Sequence, residues 1–247
     1  MKAIILAAGA CERLRPLTDD IPKSLLKIGS KTILDSQIDV FNKLKINPIN
    51  IIVGYQSNNF SKRKEKLFYN KDYKNNNILE SLFCAQPAIN GDCIISYSDI
   101  IFKKNIVEEL LKCKEDISII VDKDWKKSYI NRSMHPYSEA EKVKFDIKNN
   151  LIEAGKTINL DDVDGEFIGM LKLSPLGCNI FNKYYEIAKN KFLGKRFYEA
   201  ESFAKSYITD FLNYLISNNI SIKCIKIQGG WMEIDTVQDY NKAQNFF

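Results

Sequence analysis

A chain of 247 residues, 45% hydrophobic and 27% charged, has enough apolar material for one large core, and its length suits a single alternating α/β domain spanning residues 1–247. The net charge of +5 is mild and basic residues interleave with acids, which argues against a nucleic-acid partner while leaving a weak positive field suited to a small anion. No apolar run approaches the ~20 residues of a membrane span, and the cysteines form neither a C-x-x-C pair nor a zinc set with the lone His135, so a cytoplasmic protein with reduced thiols and no membrane contact is expected.

Residues 2–8, K-A-I-I-L-A-A, are apolar without interruption after Lys2 and are closed by Gly9, the pattern of a central parallel strand covered on both faces. The stretch up to residue 30 reads as loop. Ile33, Leu34, Ile38, Phe41 and Leu44 then recur at helical spacing, and a strand over 49–53 stops at Gly54. The alternation continues with a helix over 78–88, a strand over 93–97, a helix over 105–113 and a strand over 117–121. Between 122 and 165 the segments become short and charged, and 142–147 and 151–154 flank a Lys148-Asn149-Asn150 turn, which predicts a β-hairpin inserted over the sheet's edge. A strand over 167–173, helices over 176–191 and 199–217, a strand over 222–227 and a closing helix capped by Thr236 complete the chain. The fold class that follows is α/β, a doubly wound, mostly parallel Rossmann-like sheet with an inserted hairpin.

The chemistry concentrates in the first loop. The strand leaves through Leu6, Ala7, Ala8, Gly9, Ala10 and Cys11, small residues that let backbone N–H groups face an anion, as a nucleotide phosphate would require. Arg13 and Lys23 add two cations on the same loop, and Pro16 and Pro22 stiffen it. Fixed donors with Arg and Lys suit the charge that develops in phosphoryl transfer. Downstream, the strand over 93–97 delivers Asp99 at its carboxyl end, where open α/β sheets bind ligands.

The segment L-A-A-G-A-C-E-R-L-R-P-L-T-D-D-I-P-K closely resembles the signature of the sugar-nucleotidyltransferase superfamily, L-A-A-G-x-G-x-R-L-x-P-L-T followed by P-K. Cys11 stands where that family usually has its second glycine. The resemblance implies the family's nucleotidyltransferase fold, a magnesium cofactor (Mg²⁺) held by Asp99 and by Asp235 of G-G-W-M-E-I-D-T, and catalytic roles for Arg13 and Lys23. The run N-N-N-I-L-E-S-L resembles a nucleotide-pocket segment of the family's cytidylyltransferase branch, which implies nucleotide contacts for Asn76, Asn77 and Ser81. Lys156, following the hairpin, matches a family lysine on the acceptor's phosphate.

The implied reaction moves CMP from CTP onto a small phosphorylated or phosphonate acceptor, with phosphocholine, 2-aminoethylphosphonate and L-glutamine phosphate as the branch's acceptors and capsule or surface-glycan decoration as the setting. A cationic acceptor would call for acids and aromatic faces beyond Lys156, and Asp122, Trp125, Glu166, Trp231 and Glu233 are the available set. His135 reads as a surface loop residue, and Lys62-Arg63-Lys64 and Lys126-Lys127 as solvated faces. A sugar-1-phosphate uridylyl-, thymidylyl- or guanylyltransferase and a non-catalytic nucleotide-binding subunit stay open as alternatives, and a homodimer is compatible with each.

Overall fold

In the computed structural model, which describes residues 1–246, strand β1 (Lys2–Ala7) lies inside a nine-stranded sheet. Its apolar run is continuous because both faces are covered. Ala3, Ile5 and Ala7 pack into one core with helices α1 (Ile33–Lys43) and α3 (Lys104–Lys112), while Ile4 and Leu6 pack into another with α2 (Ile78–Phe83), α4 (Pro175–Phe192) and α5 (Ile208–Ser217).

The remaining strands are β2 (Lys27–Ile28) and β3 (Lys31–Thr32), which form a small separate hairpin, then β4 (Ile49–Val53), β5 (Lys66–Tyr69), β6 (Cys93–Tyr97), β7 (Ile100–Phe102), β8 (Ile117–Asp122), β9 (Lys142–Phe145), β10 (Leu151–Gly155), β11 (Gly165–Leu173), β12 (Lys223–Ile227) and β13 (Trp231–Glu233); α6 (Val237–Ala243) follows. Parallel pairings join β5 to β4, β4 to β1, β1 to β6, and β12 to β8. Between these two parallel groups β11 runs antiparallel to β6 and to β8. The predicted hairpin, β9 with β10, adds to the start of β11 through Gly165 and Glu166.

Strand β11 positions the site. It pairs with β9 at its beginning and with β6 from Met170 to Leu173, and its register against β8 shifts between Phe167 and Leu171. Gly169 sits in this break at φ +76°, and a Cβ there would lie 2.4 Å from the Tyr97 ring, so only glycine lets strand and ring meet.

Three differences from the sequence reading have local causes. The last long helix starts at Ile208, because the carboxylate of Asp210 accepts from the amides of Tyr207 and Glu199 (both 2.8 Å) and caps it there. The α-helix at 78 ends at Phe83 and continues as a 3₁₀ turn, Gln86–Ala88, around Pro87. Strand β5 was not anticipated, and Arg63 before it is no solvated cation: it pairs with Asp35 (2.6 Å) and Glu65 (2.9 Å). Thr236 caps α6 as expected, accepting from the Asp239 amide (3.2 Å). Among the described residues no helix is long and apolar enough to cross a membrane.

Candidate active site

Past β1 the chain turns at Gly9, where an added Cβ would meet nothing within 4 Å, so its backbone faces open space. Cys11 takes a left-handed conformation (φ 43°), which glycine reaches without the steric cost that Cys11 carries. The loop holds that turn with local bonds: Thr18 Oγ1 donates to the Cys11 carbonyl (3.0 Å), and the Tyr55 hydroxyl donates to the carbonyls of Thr18 (2.9 Å) and Asp19 (2.7 Å).

Residues far apart in the chain meet beside this loop. Lys23 Nζ donates to Asp99 Oδ2 at 2.8 Å and to Asp235 Oδ1 at 2.6 Å, and Arg13 donates to Asp235 Oδ2 at 2.5 Å. Burial works against the charge on Lys23, yet Asp235 and Asp99 outweigh it and hold its pKa well above the usual lysine value. Burial likewise opposes ionisation of Asp235, and Lys23 and Arg13 overcome it, holding this carboxyl well below its usual range. The second oxygen of Asp99, Oδ1, is buried without a hydrogen-bond partner among the described residues. Two hard oxygen donors converging on one point, one of them with an unused buried lone pair, fit the protein's share of a Mg²⁺ site.

The structure moves His135 from the expected surface loop into the interior. It is 2% exposed, with Nδ1 at 3.5 Å from Asp235 and Nε2 at 3.5 Å from Glu233, and neither nitrogen has a hydrogen-bond partner among the described residues. Burial and the neighbouring Arg132 push its pKa down to about 4, which keeps the ring neutral. His135, Glu233 and Asp235 bring ligand atoms within 4.8 Å of one another, a second set that could hold a cation.

Arg13, Lys23, Asp99, His135, Glu233 and Asp235 line one cavity of about 350 Å³ at the carboxyl ends of β1 and β6. Leu6, Ala7, Ala8, Gly9, Cys11, Asn76, Asn77 and Ser81 form one side, with Tyr73 and Ile78. Buried Asn70 organises that side by donating to Asn76 (2.7 Å) and Ser81 (2.8 Å), and Asn77 donates to the Lys205 carbonyl (3.0 Å). Ala10 lies outside the lining.

Lys156, Glu166, Trp231 and Glu233 line the other side with Glu139, Glu141 and Tyr207. Lys156 donates to Glu139 (3.0 Å) and sits 4.8 Å over the Tyr207 ring; burial opposes its charge, but Tyr207 and Glu139 raise its pKa. Glu166, 4% exposed, accepts from the Tyr129 hydroxyl at 2.6 Å, and burial pushes its pKa up to about 8. Burial also raises Glu141, to about 7.

Two residues of the expected acceptor set do not reach the cavity. Asp122 is buried behind it, with its oxygens occupied by the Trp231 indole N–H (2.7 Å) and the amides of Gly229 (3.0 Å) and Asp124 (2.9 Å). Trp125 is 2% exposed in a satellite core with Tyr129 and Ala140. Both therefore support the walls: Asp122 fixes Trp231, and Trp125 packs edge-on against Tyr129, which holds Glu166. Sequence reasoning missed Glu139, Glu141, Tyr129 and Tyr207. The lone histidine followed by proline was the one local signal in that region.

Residues 2–117 match the family described as nucleotidyl transferase. Across 97% of both chains, the protein is 34% identical to the CTP:phosphoglutamine cytidylyltransferase of Campylobacter jejuni. It is 36% identical to the choline-phosphate cytidylyltransferase of Streptococcus pneumoniae over 45% of this chain and 51% of that one. Among solved structures, the CTP:phosphocholine cytidylyltransferase of S. pneumoniae superposes with a TM-score of 0.70 at 22% identity, covering 98% of this chain and 97% of that one. The inositol-1-phosphate CTP transferase of T. maritima gives 0.78 at 17% identity, covering 99% and 95%.

Proposed function

The chain belongs to the nucleotidyl transferase family, and we propose that it transfers CMP from CTP to a small acceptor whose phosphate or phosphonate oxygen is the nucleophile. One observation carries this reading: Asp99 and Asp235 converge on Lys23 at 2.8 and 2.6 Å, in a cavity that also holds Arg13 and Lys156. The choice of CTP is supported by the cytidylyltransferase relatives, and the choice of a phosphorylated acceptor by Lys156.

In this reading Asp99 and Asp235 hold Mg²⁺, which when bound draws charge from the phosphate oxygens. The amides around Gly9 receive the triphosphate, Arg13 and Lys23 offset the charge that builds on it, and Asn76, Asn77 and Ser81 face the nucleoside. Lys156 masks part of the acceptor's charge and orients one oxygen toward the α-phosphorus. A new P–O bond forms there as the bond from the α-phosphorus to the bridging oxygen breaks, and pyrophosphate leaves. No side-chain base is needed, because a phosphate with a second pKa of about 6 is already a dianion at neutral pH.

The test is a donor-by-acceptor screen. Pyrophosphate release is followed for each of four triphosphates against phosphorylated L-glutamine, phosphocholine, 2-aminoethylphosphonate and glucose 1-phosphate, with mass detection of the product. CTP alone is expected to support turnover; equal or better use of UTP or dTTP with the sugar phosphate would overturn the assignment.

A further inference from the structure

The acceptor side of the cavity carries more carboxylate than its cations account for. Glu141 just before β9, Glu166 of β11 and Glu233 of β13 line the same space. Each already has one donor: Tyr97 on Glu141 (3.4 Å), Tyr129 on Glu166 (2.6 Å) and Arg132 on Glu233 (3.0 Å). The partners do not balance the set, because two of the three are neutral hydroxyls. Glu166 is the sharpest case, since its Oε2 is buried and has no hydrogen-bond partner among the described residues. A buried acceptor oxygen left without a donor is costly, and in a ligand cavity it marks the place where a ligand brings one.

We infer that the free oxygen of Glu166, flanked by Glu141 and Glu233, seats an ammonium group that carries at least one N–H, so that the enzyme selects acceptors with a primary, secondary or tertiary protonated amine over quaternary ones. The inference rests on the proposed transfer to a phosphorylated acceptor. A quaternary ammonium presents only methyl groups; it cannot satisfy Oε2, and it is ordinarily recognised by several aromatic faces. Here the Tyr207 face is taken by Lys156 at 4.8 Å and Trp125 lies outside the cavity, so of the two tryptophans Trp231 alone, its indole N–H held by Asp122, lines the site, one face where a quaternary group calls for several. Lys156 at the phosphate and Glu166 at the amine together describe a zwitterionic acceptor. A site built to receive an N–H rejects an analogue lacking it more strongly than a shape-selective pocket rejects an extra methyl.

The test holds CTP constant and varies only the amine, using phosphoethanolamine and its mono-, di- and trimethylated forms, the last being phosphocholine. We expect kcat/KM to change modestly through the dimethyl form and to fall by about 10-fold or more at the final methyl, where the last N–H disappears. Glu166→Gln should raise the KM for phosphoethanolamine by about 10-fold, leave the KM for CTP unchanged and narrow the preference over phosphocholine. Tyr129→Phe, which keeps Glu166 but frees its other oxygen, should act in the same direction more weakly. Phosphocholine used as well as phosphoethanolamine, or Glu166→Gln weakening both equally in a protein of unchanged circular dichroism, overturns the inference alone. Turnover with none of the four but with a sugar 1-phosphate overturns the functional reading, and this inference with it.

Discussion

Up to residue 117 the cavity is built largely from backbone and short polar side chains: the turn at Gly9, the left-handed Cys11, and the Asn70–Asn76–Ser81 network. Beyond that point it is built from ionisable side chains on the inserted segment and on β11 and β13: His135, Glu139, Glu141, Lys156, Glu166 and Glu233. The first region suits a group that every member of such a family shares, a triphosphate recognised by amides and cations. The second suits what differs between members, since its charges are set by individual residues that can change without disturbing the sheet. The two regions meet at one point, where Lys23 of the first holds Asp99 of the first and Asp235 of the second.

The largest effect is expected at that meeting point. Replacing Asp99 or Asp235 by Asn should lower kcat for pyrophosphate release by about 100-fold or more, because each removes a charge-stabilising group from the reacting centre. Undiminished turnover in either variant would separate the halves and remove the metal assignment. Lys156→Met should act on one half alone, raising the acceptor KM by about 10- to 100-fold, the scale of a lost charge-assisted hydrogen bond, while the KM for CTP stays put. An equal rise in both would show that the second half also binds the donor.

A smaller effect should appear with pH. Glu166, with a pKa of about 8, faces Tyr129, Arg132, Asp122, Glu141, Glu233 and Lys142; below that value it is largely protonated and cannot pair with an ammonium. The KM for phosphoethanolamine should therefore fall several-fold between pH 6.5 and 8.5, and Glu166→Gln should flatten this dependence. The folding sign is the opposite. A carboxyl whose folded pKa lies above its unfolded value of 4.5 binds more protons when folded, so its contribution to stability declines as pH rises from 4.5 through 8. Glu166→Gln should accordingly raise Tm more at pH 8.5 than at pH 6, the mark of a group kept for binding at the expense of stability.

The same contrast explains what could be read from sequence. Gly9, Arg13 and Lys23 sit in one contiguous stretch, and Asp99 and Asp235 lie at strand ends, so motif and position together bring them out. Residues 123–141 have no periodicity to read: their only regular pieces are 3₁₀ turns, Trp125–Tyr129 and Tyr137–Glu139. Whether His135 and Glu141 point inward while Trp125 points away depends on how that segment lies over β11, a tertiary outcome invisible in local pattern. Asp122 misled because a strand-end carboxylate resembles a ligand until its partners are known; here three N–H donors already occupy it.

The smallest effect tests whether the second region's fold and its chemistry separate. Strand β11 carries Glu166 at its start and leads to Ser174, eight residues on and roughly 25 Å away at strand rise. Ser174 accepts from the Gly177 amide at 3.0 Å as the N-cap of α4 and donates to Asp116, and it does not line the cavity. Ser174→Ala should cost about 1 kcal/mol, the usual worth of such a cap. In a chain of this size that lowers Tm by about 2–4 °C, measurable by circular dichroism. The kinetic constants for both substrates should stay unchanged, because the register break at Gly169 lies between cap and site: there β11 shifts register against β8 and, on its other edge, changes partner from β9 to β6. A shift in acceptor KM without a change in CTP KM would mean instead that β11 moves as one rigid rod, and that the acceptor half is tuned from its far end.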